Sequence, residues 1–230
     1  MEQDQLKRIL EAAILASSQP ITLDKLLSMF DGDDEQPDRQ QVKEAIDALT
    51  EDCEHRGIEL RKVASGYRYQ ARQDTGQWLS RLREEKPPRY SRALLETLAL
   101  IAYRQPITRA EIEEVRGVSV SSNIIKTLLE REWIRIVGHR EVPGKPAMFG
   151  TTKTFLDYFN LTTLNDLPPL SELVDLDAAA QQLDLDITET DGGETGIEFD
   201  DSELTEEEIA AAELDDDFDD DEDEGVRRKA

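Results

Sequence analysis

Apolar residues return at three- and four-residue spacing from the start of the chain, at Leu6, Ile9, Leu10, Ala13 and Ile14. That period predicts a helix with one buried face. Pro20 disfavours helical geometry at Gln19 and is expected to end it, and Thr22 is placed to cap the next helix. After a loop rich in Asp, Gly and Pro (DGDDEQPD, 31–38), Val42, Ile46, Leu49 and Cys53 fall on one face of a third helix. The runs IELRKV and YRYQAR then flank a turn at Ala64, Ser65 and Gly66, which predicts a β-hairpin.

The pattern occurs twice. EAAILASSQPITLDKLL (11–27) aligns with TLALIAYRQPITRAEIE (97–113) at an offset of 86, so that Gln19-Pro20-Ile21-Thr22 recurs as Gln105-Pro106-Ile107-Thr108, and Ala13 and Ala16 as Ala99 and Ala102. Thr108 and Glu111 have the spacing of a capping box. Val120, Ile124, Ile125, Leu128 and Leu129 supply the next apolar face, and WIRIVG and AMFGTT flank HREVPGKP as a second hairpin. A unit found twice implies two domains rather than a solenoid. Three helices and a hairpin make a winged helix-turn-helix unit. The expected fold class is therefore mainly α with small β-hairpins (α+β), as tandem winged helix-turn-helix domains. An extra helix is expected within QWLSRLREEKPPRYSR (77–92), ended by Pro87-Pro88, with Ser91 available to cap the helix that follows. The boundary is set near residue 88, giving units 1–88 and 89–170. The second unit should close with a short helix and an extended stretch ending at Pro168-Pro169.

Charge changes the picture beyond residue 170. Residues 171–230 hold 25 of the 52 acids and 3 of the 27 basic residues, a net of −22, against −3 for residues 1–170. Their only aromatics are Phe199 and Phe218. Such a composition predicts a disordered acidic tail, although Thr205 and Glu208 make a further capping-box spacing among Ile209, Leu214 and Phe218. No apolar run is long enough to span a bilayer and the N-terminus lacks a signal-peptide stretch, so a cytoplasmic location without membrane contact is expected. Cys53 is the single cysteine, which excludes an intrachain disulfide and a cysteine zinc cluster.

A winged helix that reads DNA offers basic residues on its third helix. Residues 38–54 carry a net charge of −4 and residues 119–132 are neutral. The basic positions Arg89, Arg92, Arg104, Arg109, Arg135, Arg140 and Lys145 form a modest stripe in the second unit. It reads either as ordinary solvated surface or as attraction for DNA, an acidic partner or the tail. Catalytic chemistry finds no support. His55 and His139 lie in different units, and Cys53 reads as a small core residue. Gly138 to Pro146 lacks the spacing and hydroxyl of a phosphate loop and reads as the wing turn. No enzyme activity, cofactor or metal site is expected.

YSRALLETLALIAYRQPITRAEIEEVRGVSV (90–120), the wing REVPGKPAMFGTT (140–152) and TKTFLDYFNLTTLNDLPPL (152–170) together resemble segregation and condensation protein B, the small accessory subunit of bacterial condensin. The similarity covers about residues 5–170, and the tail departs from it. The resemblance implies a non-catalytic subunit of an SMC–kleisin complex serving chromosome condensation and partition in the cell cycle and cell division, associated with the nucleoid. It further implies a homodimer formed chiefly by the N-terminal unit, and binding to the kleisin, segregation and condensation protein A. The SMC ATPase would be reached through the kleisin, and DNA only through the complex. Candidate kleisin-binding residues are Tyr103, Arg104, Tyr158 and Phe159, and candidate dimerisation residues Met29 and Phe30; for each aromatic the alternative is core packing. The rival class is a winged-helix transcription regulator acting on DNA directly.

Overall fold

A computed structural model describes residues 2–33, 35–82 and 90–169, together with the backbone of Ile187–Thr188. It is a mixture of helices and small, mostly antiparallel sheets. The N-terminal part runs α1 (Gln3–Ala16), α2 (Leu23–Ser28), α3 (Arg39–Asp52), β1 (Ile58–Val63) and β2 (Gly66–Ala71). The predicted apolar face of α1 is buried at Leu6, Leu10 and Ile14, and that of α3 at Val42, Ile46, Leu49 and Cys53, with Ala45 buried beside them. These residues, Cys53 apart, join Leu26, Phe30 and Leu60 in one core. Thr22 caps α2 by accepting the Lys25 N–H at 3.1 Å. α3 opens with a capping box that the sequence reading overlooked: Asp38 Oδ1 accepts the Gln41 N–H at 2.7 Å, and Gln41 Oε1 accepts the Asp38 N–H at 2.8 Å.

Within the described residues the expected extra helix begins earlier and is broken into short turns. A 3₁₀ turn (Gln73–Thr75), α4 (Gly76–Leu79) and a second 3₁₀ turn (Ser80–Leu82) follow one another. Their apolar residues Trp78 and Leu82 are 56% and 79% exposed. Pro87-Pro88 lies outside the described residues.

The second part runs β3 (Tyr90–Ser91), α5 (Arg92–Arg104), β4 (Ile107–Thr108), α6 (Arg109–Arg116), α7 (Ser122–Glu130), β5 (Ile134–His139), β6 (Ala147–Thr151) and α8 (Lys153–Tyr158). A 3₁₀ turn at Leu164–Asp166 follows, and β7 (Ile187–Thr188) lies parallel to β3. Ser91 caps α5, and the predicted Thr108–Glu111 capping box is present on α6. The core gathers Leu94, Leu98, Ile101, Ile112, Val120, Ile125, Leu128, Trp133, Ile134, Phe149 and Phe155. Apart from β7, the tail expectation for residues 171–230 falls outside the described residues.

The repeated Gln-Pro-Ile-Thr segment is tied to a hairpin in both copies, which explains why it recurs. In the first copy the Ile21 and Tyr67 backbones exchange two N–H···O bonds of 2.9 Å. In the second, β4 pairs antiparallel with β6, making a sheet of order β4-β6-β5. Gly66 is required for the first of these contacts. Its φ is +134°, and a Cβ there would stand 2.3 Å from the carbonyl oxygen of Ile21.

The flanking helices do not follow the offset of 86. Leu6, Leu10 and Ile14 correspond in burial to Leu94, Leu98 and Ala102, an offset of 88, whereas Ala16 is exposed and Ala102 buried. α1 stops at Ala16, before Pro20 can act on it, because Ser17 is already extended (φ −74°, ψ 132°) and its hydroxyl donates to the Gln19 carbonyl. α5 instead continues to Arg104, directly before Gln105 and Pro106. The two serines are the extra residues.

Candidate protein-interaction surface

α8 begins with the Thr152 hydroxyl accepting the Phe155 N–H, which buries Phe155 and sets Tyr158 and Phe159 against Trp133. Trp133 is 2% exposed, just before β5, with ring centroids at 4.6 Å from Tyr158, 5.2 Å from Tyr90 and 5.4 Å from Phe159. These tilted and edge-on separations are those aromatic rings prefer. The Arg131 guanidinium lies 4.8 Å from the Tyr90 ring centroid and donates to the Tyr90 hydroxyl at 3.0 Å. Tyr90 and Tyr158 share a hydroxyl–hydroxyl bond of 3.1 Å. Burial, with the Tyr158 hydrogen bond second, pushes the Tyr90 phenol up to about 12, so it stays a neutral hydroxyl at neutral pH.

A second feature is a groove of about 590 Å³ at the end of α5, lined by Arg104, Pro106, Ile107, Glu111, Glu114, Val115 and Arg140. Apolar side chains form part of its wall and both signs of charge its rim. Arg140 donates to Glu111, whose carboxyl is held below the usual range chiefly by the Thr108 N–H, with Arg140 contributing. Val115, Val118, Val137 and Val142 are all more than 40% exposed.

The candidate kleisin residues fall into two groups by contact. Tyr158, 46% exposed, and half-buried Phe159 belong to the aromatic cluster. Tyr103 is half-buried and donates its hydroxyl to the Pro168 carbonyl at 2.5 Å, and exposed Arg104 borders the groove. Met29 is 45% exposed, whereas Phe30 is 3% exposed within the N-terminal core. Sequence reasoning missed Trp133 and Arg131 as the centre of the aromatic cluster. A tryptophan at a strand start was the available signal.

Three residues of the basic stripe, Arg92, Arg109 and Arg140, pair with acids. Arg92 meets Glu96 at 3.1 Å, Arg109 meets Glu113 at 3.2 Å, and Arg140 meets Glu111. Arg89 lies outside the described residues. On α3 the solvent-facing side includes Glu44, Asp47, Glu51 and Asp52, opposed by Lys43 and by Arg39, which pairs with Asp24. Cys53 is buried, as expected of a core residue, and both histidines are exposed. Among the described residues no group of three or more His, Cys, Asp or Glu is placed to hold a metal, and no helix is long and apolar enough to cross a membrane.

The family model described as Segregation and condensation complex subunit ScpB matches residues 8–170. The chain belongs to this ScpB family. A protein of Coxiella burnetii named Segregation and condensation protein B homolog is 60% identical over 177 residues, 76% of this chain and 84% of that one. Segregation and condensation protein B of Syntrophotalea carbinolica is 38% identical over 195 residues, 85% of this chain and 97% of the relative. Among solved structures, ScpB from Mycobacterium tuberculosis is 36% identical and covers 70% of this chain and 99% of its own, with a TM-score of 0.32. The process that the ScpB family serves is chromosome partition and condensation, as a subunit of a complex.

Proposed function

We propose that the chain is a non-catalytic accessory subunit of an SMC–kleisin complex, a homodimer that binds the kleisin at the SMC heads. The family match across residues 8–170 carries the reading. In it the two helix-and-hairpin units are winged-helix domains that meet near residue 88. The first unit dimerises, with Met29 at its surface while Phe30 serves the core. The second unit grips the kleisin through Tyr158 and Phe159 on the aromatic cluster and Tyr103 and Arg104 beside the groove. Charge supports a protein partner over DNA, because the exposed side of α3 is mainly acidic and the arginines Arg92, Arg109 and Arg140 face carboxylates. DNA is then handled by the complex in the nucleoid, and the acidic tail competes with DNA for basic surfaces there.

The test sets co-purification with the kleisin, followed by size-exclusion light scattering, against a gel shift of the isolated protein. A stable complex containing two copies of this chain is expected, weakened by Tyr158→Ala or Arg104→Ala. Tight sequence-specific DNA binding without a protein partner would replace the reading by a transcription regulator.

A further inference from the structure

The turn of the first hairpin has two N–H groups that the β1–β2 pairing leaves over, and both find acceptors in the second unit. The Ala64 N–H donates to the Leu161 carbonyl and the Ser65 N–H to Asp157 Oδ1, each at 2.9 Å. Buried backbone donors need partners, so this accounting is informative. Three residues further, Arg68 Nη2 donates to the Asp157 carbonyl and to Asn160 Oδ1, both at 2.8 Å. Arg68 is half-buried and aimed by its own strands: its Nε donates to Gln70 Oε1 at 3.2 Å, and Gln70 Nε2 to Glu59 Oε1 at 2.7 Å.

The receiving side is equally prepared. α8 ends with Asn160 in the left-handed region (φ 59°) and the Leu161 N–H returning to the Leu156 carbonyl at 2.8 Å. This is the arrangement by which a helix end satisfies its last carbonyls before the chain turns away. It leaves the Leu161 carbonyl to accept from Ala64 and the Asn160 amide oxygen to accept from Arg68. Val63, beside this seam, is 2% exposed yet belongs to neither core cluster.

We propose that the first hairpin is a latch: its tip, with Arg68, binds the end of α8 and holds the two units as one rigid body. The hairpin is thereby withdrawn from the role a wing has on DNA, and a partner touching both units meets a surface of fixed geometry. The latch is independent of which partner that is.

The test is an inter-unit distance measured on the full chain. Cys53→Ala clears the native thiol, Lys43→Cys and Asn123→Cys carry nitroxide labels on exposed positions of α3 and α7, and dilution with unlabelled chain isolates the intrachain pair. A single narrow distance distribution is expected, broadening at least two-fold in Arg68→Ala while hydrogen exchange in both cores stays protected. Asn160→Gly, which retains the left-handed helix end but loses one acceptor, is expected to broaden it less. It also serves if Arg68→Ala unfolds the first unit. A distribution already broad in the parent, or no broadening in a folded variant, would overturn the latch.

Discussion

Replacing Gly66 by alanine would put a Cβ 2.3 Å from the carbonyl oxygen of Ile21 and 2.8 Å from the nitrogen of Thr22, both backbone atoms that no side-chain rotation can move. The φ of +134° adds backbone strain of about 1–3 kcal/mol for a residue with a side chain. Relieving the clash means parting the Ile21–Tyr67 pair, whose two hydrogen bonds contribute roughly 1 kcal/mol each. The expected loss is therefore about 3–5 kcal/mol, originating in the N-terminal unit. Gly117 supplies the control, because its φ is +72° and a Cβ there would meet nothing within 4 Å. Gly117→Ala should cost only about 1–2 kcal/mol. Urea unfolding followed by far-UV circular dichroism measures both losses, and hydrogen exchange at Ile21 and Tyr67 assigns the first. Equal losses in the two variants would refute the reasoning that the hairpin is pressed against the Gln-Pro-Ile-Thr segment.

Trp133→Ala should destabilise the second unit by about 3–5 kcal/mol, through the cavity left among Tyr90, Tyr158 and Phe159, as read by urea unfolding. Asp166 accepts bonds from Thr162 and Thr163 that lower its carboxyl from 3.8 to about 2. The turn it closes is then fully stabilised above pH 3.8 and loses that support as pH falls through about 2. An NMR titration of Asp166 with its midpoint near 3.8 would contradict this. Deleting residues 171–230 removes a net charge of −22 and should raise the DNA affinity of the assembled complex at low salt, read by fluorescence anisotropy; unchanged affinity would dismiss competition by the tail.

Local signals in the sequence carried most of the elements. Apolar periodicity located α1, α3 and α7, the repeat located α5, and Thr22, Ser91 and Thr108 cap where their side chains allow. The register of the repeat was harder to read, because a motif held by strand pairing and a helix held by core packing need not share one offset. Ser17 and Ser18 lie in exposed connecting chain that absorbs two extra residues without disturbing either. Of the candidate interface residues, Met29 and Phe30 illustrate the limit. Adjacent positions at a helix end face opposite ways, and only three-dimensional packing decides which is buried. Contacts between the units, such as Arg68 with Asn160, span 92 residues and leave no local pattern.

The chain's two tryptophans, Trp78 and Trp133, lie on opposite sides of residue 88, one 56% exposed and the other 2% exposed among stacked rings. Their emission should differ accordingly, red-shifted and open to acrylamide quenching at Trp78, blue-shifted and shielded at Trp133. The protein thus carries its own pair of optical reporters. A kleisin peptide titration could reveal by intrinsic fluorescence which of the two environments it alters, with no label attached.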